Sequence, residues 1–249
     1  MSRNSVLEGS SSGVQVVRET QERILDVALR LMQMGGYHAF SYADVAAEVG
    51  ITKASVHYHY PAKADLGTAA LRHYRAWWRQ QVRGLAAAPS APRGVSGVRD
   101  LSAEALLCSY SRVYRDMLRD GRICLVAALA QECLLLPEGM QAELHGFYTE
   151  HEDWLVWALQ AGREAGTMTA PGPLRVQAQA LISALHGAQG LARVQKNIYR
   201  YCAVAHLTLA GLGLPFTELE ISDPAAFEAQ HTEAQEAHAG TPNPGLTFA

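Results

Sequence analysis

The chain has 249 residues, with 49% hydrophobic and 18% charged, which suits one large domain or two small ones and excludes disorder over most of its length. Its net charge of −3 argues at first against a nucleic-acid partner, but six acids after residue 217 (Glu218, Glu220, Asp223, Glu228, Glu233, Glu236) outweigh it, and without them the balance is +3. The longest apolar run, residues 123–130, is too short to span a bilayer, so no membrane partner is expected.

The opening "MSRNSVLEGSSSGVQVV" has no apolar segment of signal-peptide type, and the expected location is the cytoplasm. Residues 1–16 are rich in Ser and Gly and read as a flexible segment. From about 17 to 34, Val17, Ile24, Leu25, Ala28, Leu29, Leu31 and Met32 recur at helical spacing, and "GGY" (35–37) ends that helix. Ser41 followed by Asp44 is a capping box that opens the short helix "YADVAAEV". Gly50 ends it, Thr52 caps the next helix and Pro61 closes that one. Further helices are expected near 63–87, 101–120, 123–136, 138–165, 173–197 and 199–212. "APSAPRGVSG" (88–97) and "GTMTAPGP" (166–173) read as loops, and the acidic stretch from 215 to 249 as a disordered tail. No strand pattern of useful length occurs, so the fold class is all-α, with about nine helices.

Residues 57–60, His57-Tyr58-His59-Tyr60, alternate as a strand would. On a helix, however, positions 57 and 59 lie about 200° apart, so the two histidines cannot grip one metal ion. Two helices of about eight residues cannot stand alone, and the amphipathic helix 17–34 can support them. Val45, Ala46 and Val49 face inward from the first, Ile51 and Val56 from the second, and Gly50 tolerates the turn, as in a helix-turn-helix. Between Glu48 and Asp65 there is no acid, whereas Lys53 and Lys63 are present. Lys53 opposes the dipole of its own helix, which is acceptable if a phosphate is its partner. Thr52 and Ser55 offer hydroxyls, Tyr58 can reach a phosphate, and His57 and His59 can donate to a phosphate or a guanine edge. Tyr60 is expected to pack back on the first short helix.

Residues 19–66 resemble the N-terminal DNA-binding domain of the TetR family of bacterial transcriptional regulators, in the combination of Gly36, Ser41, Val45-Ala46, Gly50, Lys53, Tyr58 and Lys63. The resemblance implies a helix-turn-helix domain (17–65) and a helical ligand-binding and dimerisation domain (66–214). It implies a homodimer that binds a palindromic double-stranded operator, usually as a repressor released by a small molecule. Carried over, Lys53, Tyr58 and Lys63 hold phosphates and Ala54, Ser55, His57 and His59 lie nearest base edges, with Ser41, Tyr42 and Thr52 completing the DNA-binding set. Ala54 stands where the family usually has Gly, His57 where it often has an aromatic or aliphatic residue, and Ala62 where Ser or Thr caps the next helix.

The family places dimerisation on the last two long helices. Ala180, Ala184, Gly187, Ala188 and Leu191, with Val204, Leu207 and Leu209, are the expected dimer residues. A pocket needs large, partly polar side chains, and Trp77, Trp78, Tyr110, Tyr114, Phe147, Trp154, Trp157 and His186 are the candidates, although for each of them plain core packing is the stronger expectation. "GRICLVAALAQE" (121–132) resembles the G-C-L segment of a TetR branch that includes regulators of reductive or electrophile detoxification genes. There Cys124 would be a helix N-terminal thiol of lowered pKa, helped by Arg122; the alternative is a small buried residue. The four cysteines have neither CxxC nor zinc spacing and are expected to be free thiols. No catalytic motif, cofactor fingerprint or P-loop is present, so neither an enzyme nor a cofactor is expected; an all-helical scaffold using the motif for protein contacts is the alternative.

Overall fold

A computed structural model describes residues 8–87 and 102–213. The expected loop 88–97 and the acidic tail lie outside the described residues. Among those described there are nine α-helices, one 3-10 turn and no strand. The helices are α1 (Glu8–Gly35), α2 (Tyr42–Val49), α3 (Lys53–His59), α4 (Lys63–Ala87), α5 (Ala103–Arg119), α6 (Leu125–Ala130), α7 (Glu138–Glu164), α8 (Leu174–Val194) and α9 (Ile198–Ala210). No described helix is long and apolar enough to cross a membrane.

Two elements differ from the sequence expectation. Helix α1 begins at Glu8, through the Ser-Gly stretch expected to be flexible. Weak helix formers can follow a nucleus laid down elsewhere, and the amphipathic segment from Ile24 onward is that nucleus. The helix expected over 123–136 stops at Ala130 and gives way to the 3-10 turn Cys133–Leu135. Pro137 disfavours helix just before it, and Glu132 instead turns toward α1.

Helix α2 packs against both α1 and α3, and Ile24, Ala28, Val45, Val49 and Val56 are buried in the core these three helices share. Helix α4 bridges: it packs against α1 on one side and against α5 and α7 on the other. Helices α5, α7, α8 and α9 form the second body, and α6 packs against α1. The buried side chains form one continuous cluster from Ile24 to Leu212, so the two bodies share a core.

Polar contacts reinforce this junction. Arg75 of α4 is clamped between Glu143 and Glu150 of α7, and Arg72 and Arg79 flank it on the same two carboxylates. Arg193 of α8 donates to the carbonyls of Gln33 (3.0 Å) and Met34 (3.3 Å), groups that the end of α1 leaves without intrahelical partners. Gly36 follows with φ of 86°, a left-handed turn where a Cβ would strike the Glu132 carboxylate.

Candidate nucleic-acid interface

Helix α2 starts with both halves of its capping box in place: Ser41 Oγ accepts from the Asp44 N–H, and Asp44 Oδ2 accepts from the Ser41 N–H at 2.7 Å. These bonds hold the Asp44 carboxyl below its usual pKa, the Ser41 side chain being the largest cause. Gly50 caps the other end at φ 77°, and Arg23 of α1 donates to the Val49 carbonyl at 2.6 Å. Helix α3 is capped by Thr52, whose Oγ1 accepts from the Ser55 N–H at 3.1 Å. Val56 is fully buried, and Tyr60 turns back into the core as expected.

With Val56 facing inward, the outer face of α3 carries Lys53, Ala54, His57 and Tyr58, all exposed. Tyr58 is 78% exposed. Ser55 and His59 are half-buried at the edges, and Thr52 is exposed at the N-cap. His57 and His59 do not converge, and among the described residues no group of His, Cys, Asp or Glu is placed to hold a metal ion. The His57 ring instead meets the edge of Tyr42 at 4.5 Å between centroids.

Two residues expected on the DNA side are engaged by the protein itself, Tyr42 buried and Lys63 half-buried. Tyr42 is buried and donates its hydroxyl proton to the Tyr60 carbonyl at 2.7 Å, which ties α2 to the end of α3. Lys63 bends inward: its Nζ donates to the Phe40 carbonyl at 2.5 Å and sits over the Tyr37 and Phe40 rings. Burial lowers its pKa. The two rings and the carbonyl offset part of the hydration that the ammonium loses, and the aliphatic stem packs along the protein surface. Ala62 cannot cap α4, but Asp65 Oδ2 accepts the Ala62 N–H at 3.0 Å and supplies the carboxylate half of a capping box.

The expected effector residues do not line an open pocket together. Trp78, Tyr110, Tyr114 and Phe147 are buried and packed ring to ring. Their centre is His151, which sequence reasoning passed over. It stacks on Trp78 at 4.5 Å, and its Nε2 lies 2.6 Å from the Tyr110 hydroxyl and 3.2 Å from that of Tyr114. The signal was available: position 151 is one turn beyond Phe147 on the same helix face. His186 packs edge-on against Tyr114, and Trp154 lies against Tyr110. Nδ1 of His151 and Nε2 of His186 are buried without a hydrogen-bond partner, and burial pushes both pKa values down, that of His186 to about 4. Trp77 stands at the edge of this cluster, stacked on Tyr74 and facing a cavity between α1, α4 and α5, and Trp157 is exposed.

Cys124 is fully buried at the N-cap of α6. Its Sγ accepts from the Tyr74 hydroxyl at 3.4 Å, and its N–H donates to Gln189 Oε1 at 3.0 Å. Burial raises the thiol pKa, against the lowering expected from the helix terminus, and Arg122 is engaged by Asp120 instead. Of the expected dimer residues, Ala180, Gly187, Leu191 and Leu207 are exposed, Ala184 and Val204 are half-buried, and Ala188 and Leu209 are inside. The periodicity of α8 explains the split: 180, 184, 187 and 191 follow one stripe, whereas 188 falls on the stripe of Leu181 and Leu185.

Residues 24–70 match the family model described as bacterial regulatory proteins, tetR family. The chain is 38% identical over 52 residues to the HTH-type transcriptional regulator AcrR of Shigella flexneri, covering 21% of this chain and 24% of that protein. It is 29% identical over 133 residues to the HTH-type transcriptional regulator LmrA of Bacillus subtilis (strain 168), covering 53% and 66% respectively. The matched part thus falls short of two thirds of either curated relative. The crystal structure of a TetR-family transcriptional regulator from Agrobacterium tumefaciens superposes with a TM-score of 0.71 at 28% identity, covering 79% of this chain and 98% of that one. Residues 24–70 thus form a domain of the tetR family of bacterial regulatory proteins, on a fold shared with a TetR-family transcriptional regulator.

Proposed function

We propose that the protein is a ligand-responsive transcriptional regulator that binds a palindromic operator as a homodimer and, acting as a repressor, is released by a small molecule. The observation that carries this reading is the outer face of α3. Lys53, Ala54, His57 and Tyr58 stand exposed on a short helix whose inner face is fixed by Val56 and by the Tyr42–Tyr60 bond. Such a helix fits the major groove, with Ala54, Ser55, His57 and His59 toward base edges and Lys53, Tyr58 and Thr52 toward phosphates. Ser41, exposed at the start of α2, is placed for a backbone contact.

Dimerisation would use the outer stripe of α8 and the adjoining face of α9. Leu191, Val194 and Leu207 are 61%, 80% and 74% exposed, and Val176, Ala180 and Gly187 continue the α8 stripe. A Cβ on Gly187 would meet nothing within 4 Å, which leaves room for a second helix to approach. An operator needs two copies of α3 about 34 Å apart. Helix α4 touches both α1 and α7, so a ligand that favours another tilt of α4 changes that spacing.

The test is a titration against the DNA upstream of the protein's own gene, at several salt concentrations, beside a scrambled duplex. Specific binding with a steep salt dependence, lost in Lys53→Ala, is the expected result. Equal affinity for both duplexes, followed by failure of a genome-wide selection to enrich any sequence, would sink the reading.

A further inference from the structure

Helices α5 and α9 lie side by side and run antiparallel. Ala103, the first residue of α5, packs against Gly162, beside Met168. The end of α9 meets the same region: Gly213 packs on Thr169, and the Leu212 carbonyl accepts the Ala170 N–H at 3.3 Å. Further along, the Tyr201 hydroxyl of α9 donates to the Ser111 carbonyl of α5 at 2.8 Å. Beyond that bond, Arg115 and Arg119 come close to Cys202. Burial raises the thiol pKa there, and the two guanidiniums oppose the rise.

This side of the molecule has more cations than acids. Arg112, Arg115 and Arg119 follow one another at i, i+3 and i+7 and so share one face of α5. Between Glu104 and Asp120 the only acid is Asp116, and Arg115 and Arg119 both reach its Oδ1, at 3.0 and 3.4 Å. Three cations thus stand against one acid. Glu104 is two turns away, ~12 Å from Arg112 along the axis, and Asp120 is taken by Arg122 at 2.6 Å. Helix α9 brings no acid to the balance. From Ala165 to Thr217 the sequence has none, while Arg200 is exposed in the first turn of α9.

We propose that the basic face along α5 and α9 is the docking site of the chain's own acidic segment, residues 216–223, "FTELEISD". Glu218, Glu220 and Asp223 are the first acids after α9, and no Lys or Arg follows Arg200. The acids are within reach. Arg112 and Arg119 lie ~14 and ~24 Å along the axis from the start of α5. The five residues from Gly213 to Glu218 can span at most ~17 Å, and the ten to Asp223 at most ~35 Å. Exposed ion pairs are individually weak. Phe216, Leu219 and Ile221 interleave the acids, however, and the methylene stems of the arginines give them apolar surface to cover. The short tether also sets an effective concentration on the order of mM, which a separate acidic protein or a duplex must exceed. Docked, the segment offsets cations that DNA of any sequence would use. Only that consequence rests on the DNA-binding reading; the docking itself does not.

The experiment is amide hydrogen exchange of the full chain, without DNA, read by mass spectrometry on peptides covering residues 214–224. At low salt, residues 216–223 should exchange at least about tenfold more slowly than in a synthetic peptide of the same sequence. The protection should shrink at about 1 M salt, where the Debye length is ~3 Å. Glu218→Lys/Glu220→Lys should abolish it with the thermal midpoint of the helical body kept. Arg112→Glu/Arg119→Glu should do the same, and combining the two pairs should restore part of it. Exchange as fast as in the peptide, or protection that survives both charge reversals, would overturn the proposal. Residues 216–223 left unprotected while added duplex slows exchange in α5 would assign the face to DNA, and would overturn it too. A protein that binds no operator but protects the segment would refute the regulator reading alone. Operator binding with the segment unprotected would refute this one alone.

Discussion

Glu132, beyond the end of α6, accepts the backbone N–H of Tyr37 at 2.5 Å across 95 residues of sequence. The bond joins the second body of the molecule to the turn between α1 and α2. Glu132 is only 19% exposed, so the N–H it serves has little water to replace it. Glu132→Ala should cost about 1–2 kcal/mol in denaturant unfolding, the price of a partly buried donor left unpaired. Glu132→Gln, which keeps an acceptor, should recover most of it.

The two lysines of the helix-turn-helix should behave differently. Lys53 is exposed on α3, whereas Lys63 is bound to the Phe40 carbonyl and two rings. Lys53→Ala should lower the salt slope of operator binding by about 2, one contact for each subunit of the dimer, and leave the thermal midpoint in place. Lys63→Ala should leave the slope alone and cost about 1 kcal/mol of stability. Salt-dependent titrations together with thermal unfolding of the two variants separate the roles.

Stability should fall on mild acidification. His151 and His186 have folded pKa values below the unfolded value of about 6.5, that of His186 about 4, because burial disfavours the charged ring. The unfolded chain therefore binds protons first, and stability is lost as pH drops below about 6.5, continuing toward 4 for His186. The His186 contribution is about 3 kcal/mol over that window. Urea midpoints measured across it should show the fall, and His186→Gln should make it shallower.

Cys124 should be slow to react. It is fully buried with a raised pKa, whereas Cys133 is partly exposed. Brief iodoacetamide treatment of the native protein should label Cys133 first and Cys124 only after denaturation, as read by mass spectrometry. Rapid labelling of Cys124 in the native state would restore the sensing expectation.

Leu191 and Leu207 are exposed in the single chain, so charging them should not unfold it. Leu191→Glu/Leu207→Glu should sediment as a monomer with unchanged helicity and should bind the operator at least about tenfold more weakly, since one half-site is lost. A double variant that remains dimeric would move the interface elsewhere.

The helices and their caps could be read from the sequence because they are local. The Ser41–Asp44 capping box, Gly50, Thr52 and the 3.6-residue apolar period each specify a conformation within a few residues, and α2, α3 and α4 lie where those signals put them. The exposed face of α3 follows from the same periodicity once Val56 is inside. What lies between elements was not legible. Tyr42 and Lys63 have polar ends that suit DNA as well as a partner within the protein, and only the fold brings the carbonyls of Tyr60 and Phe40 to them. The pKa of the Cys124 thiol depended on its complete burial, which outweighs the helix terminus that its sequence position suggested. The aromatic residues of α4, α5 and α7 signalled a large core. Whether they enclosed a space or filled it depended on packing across residues far apart in the chain, and His151 filled it. Local rules determine where helices begin and end; desolvation and contact at long range decide which side chains are left free to act.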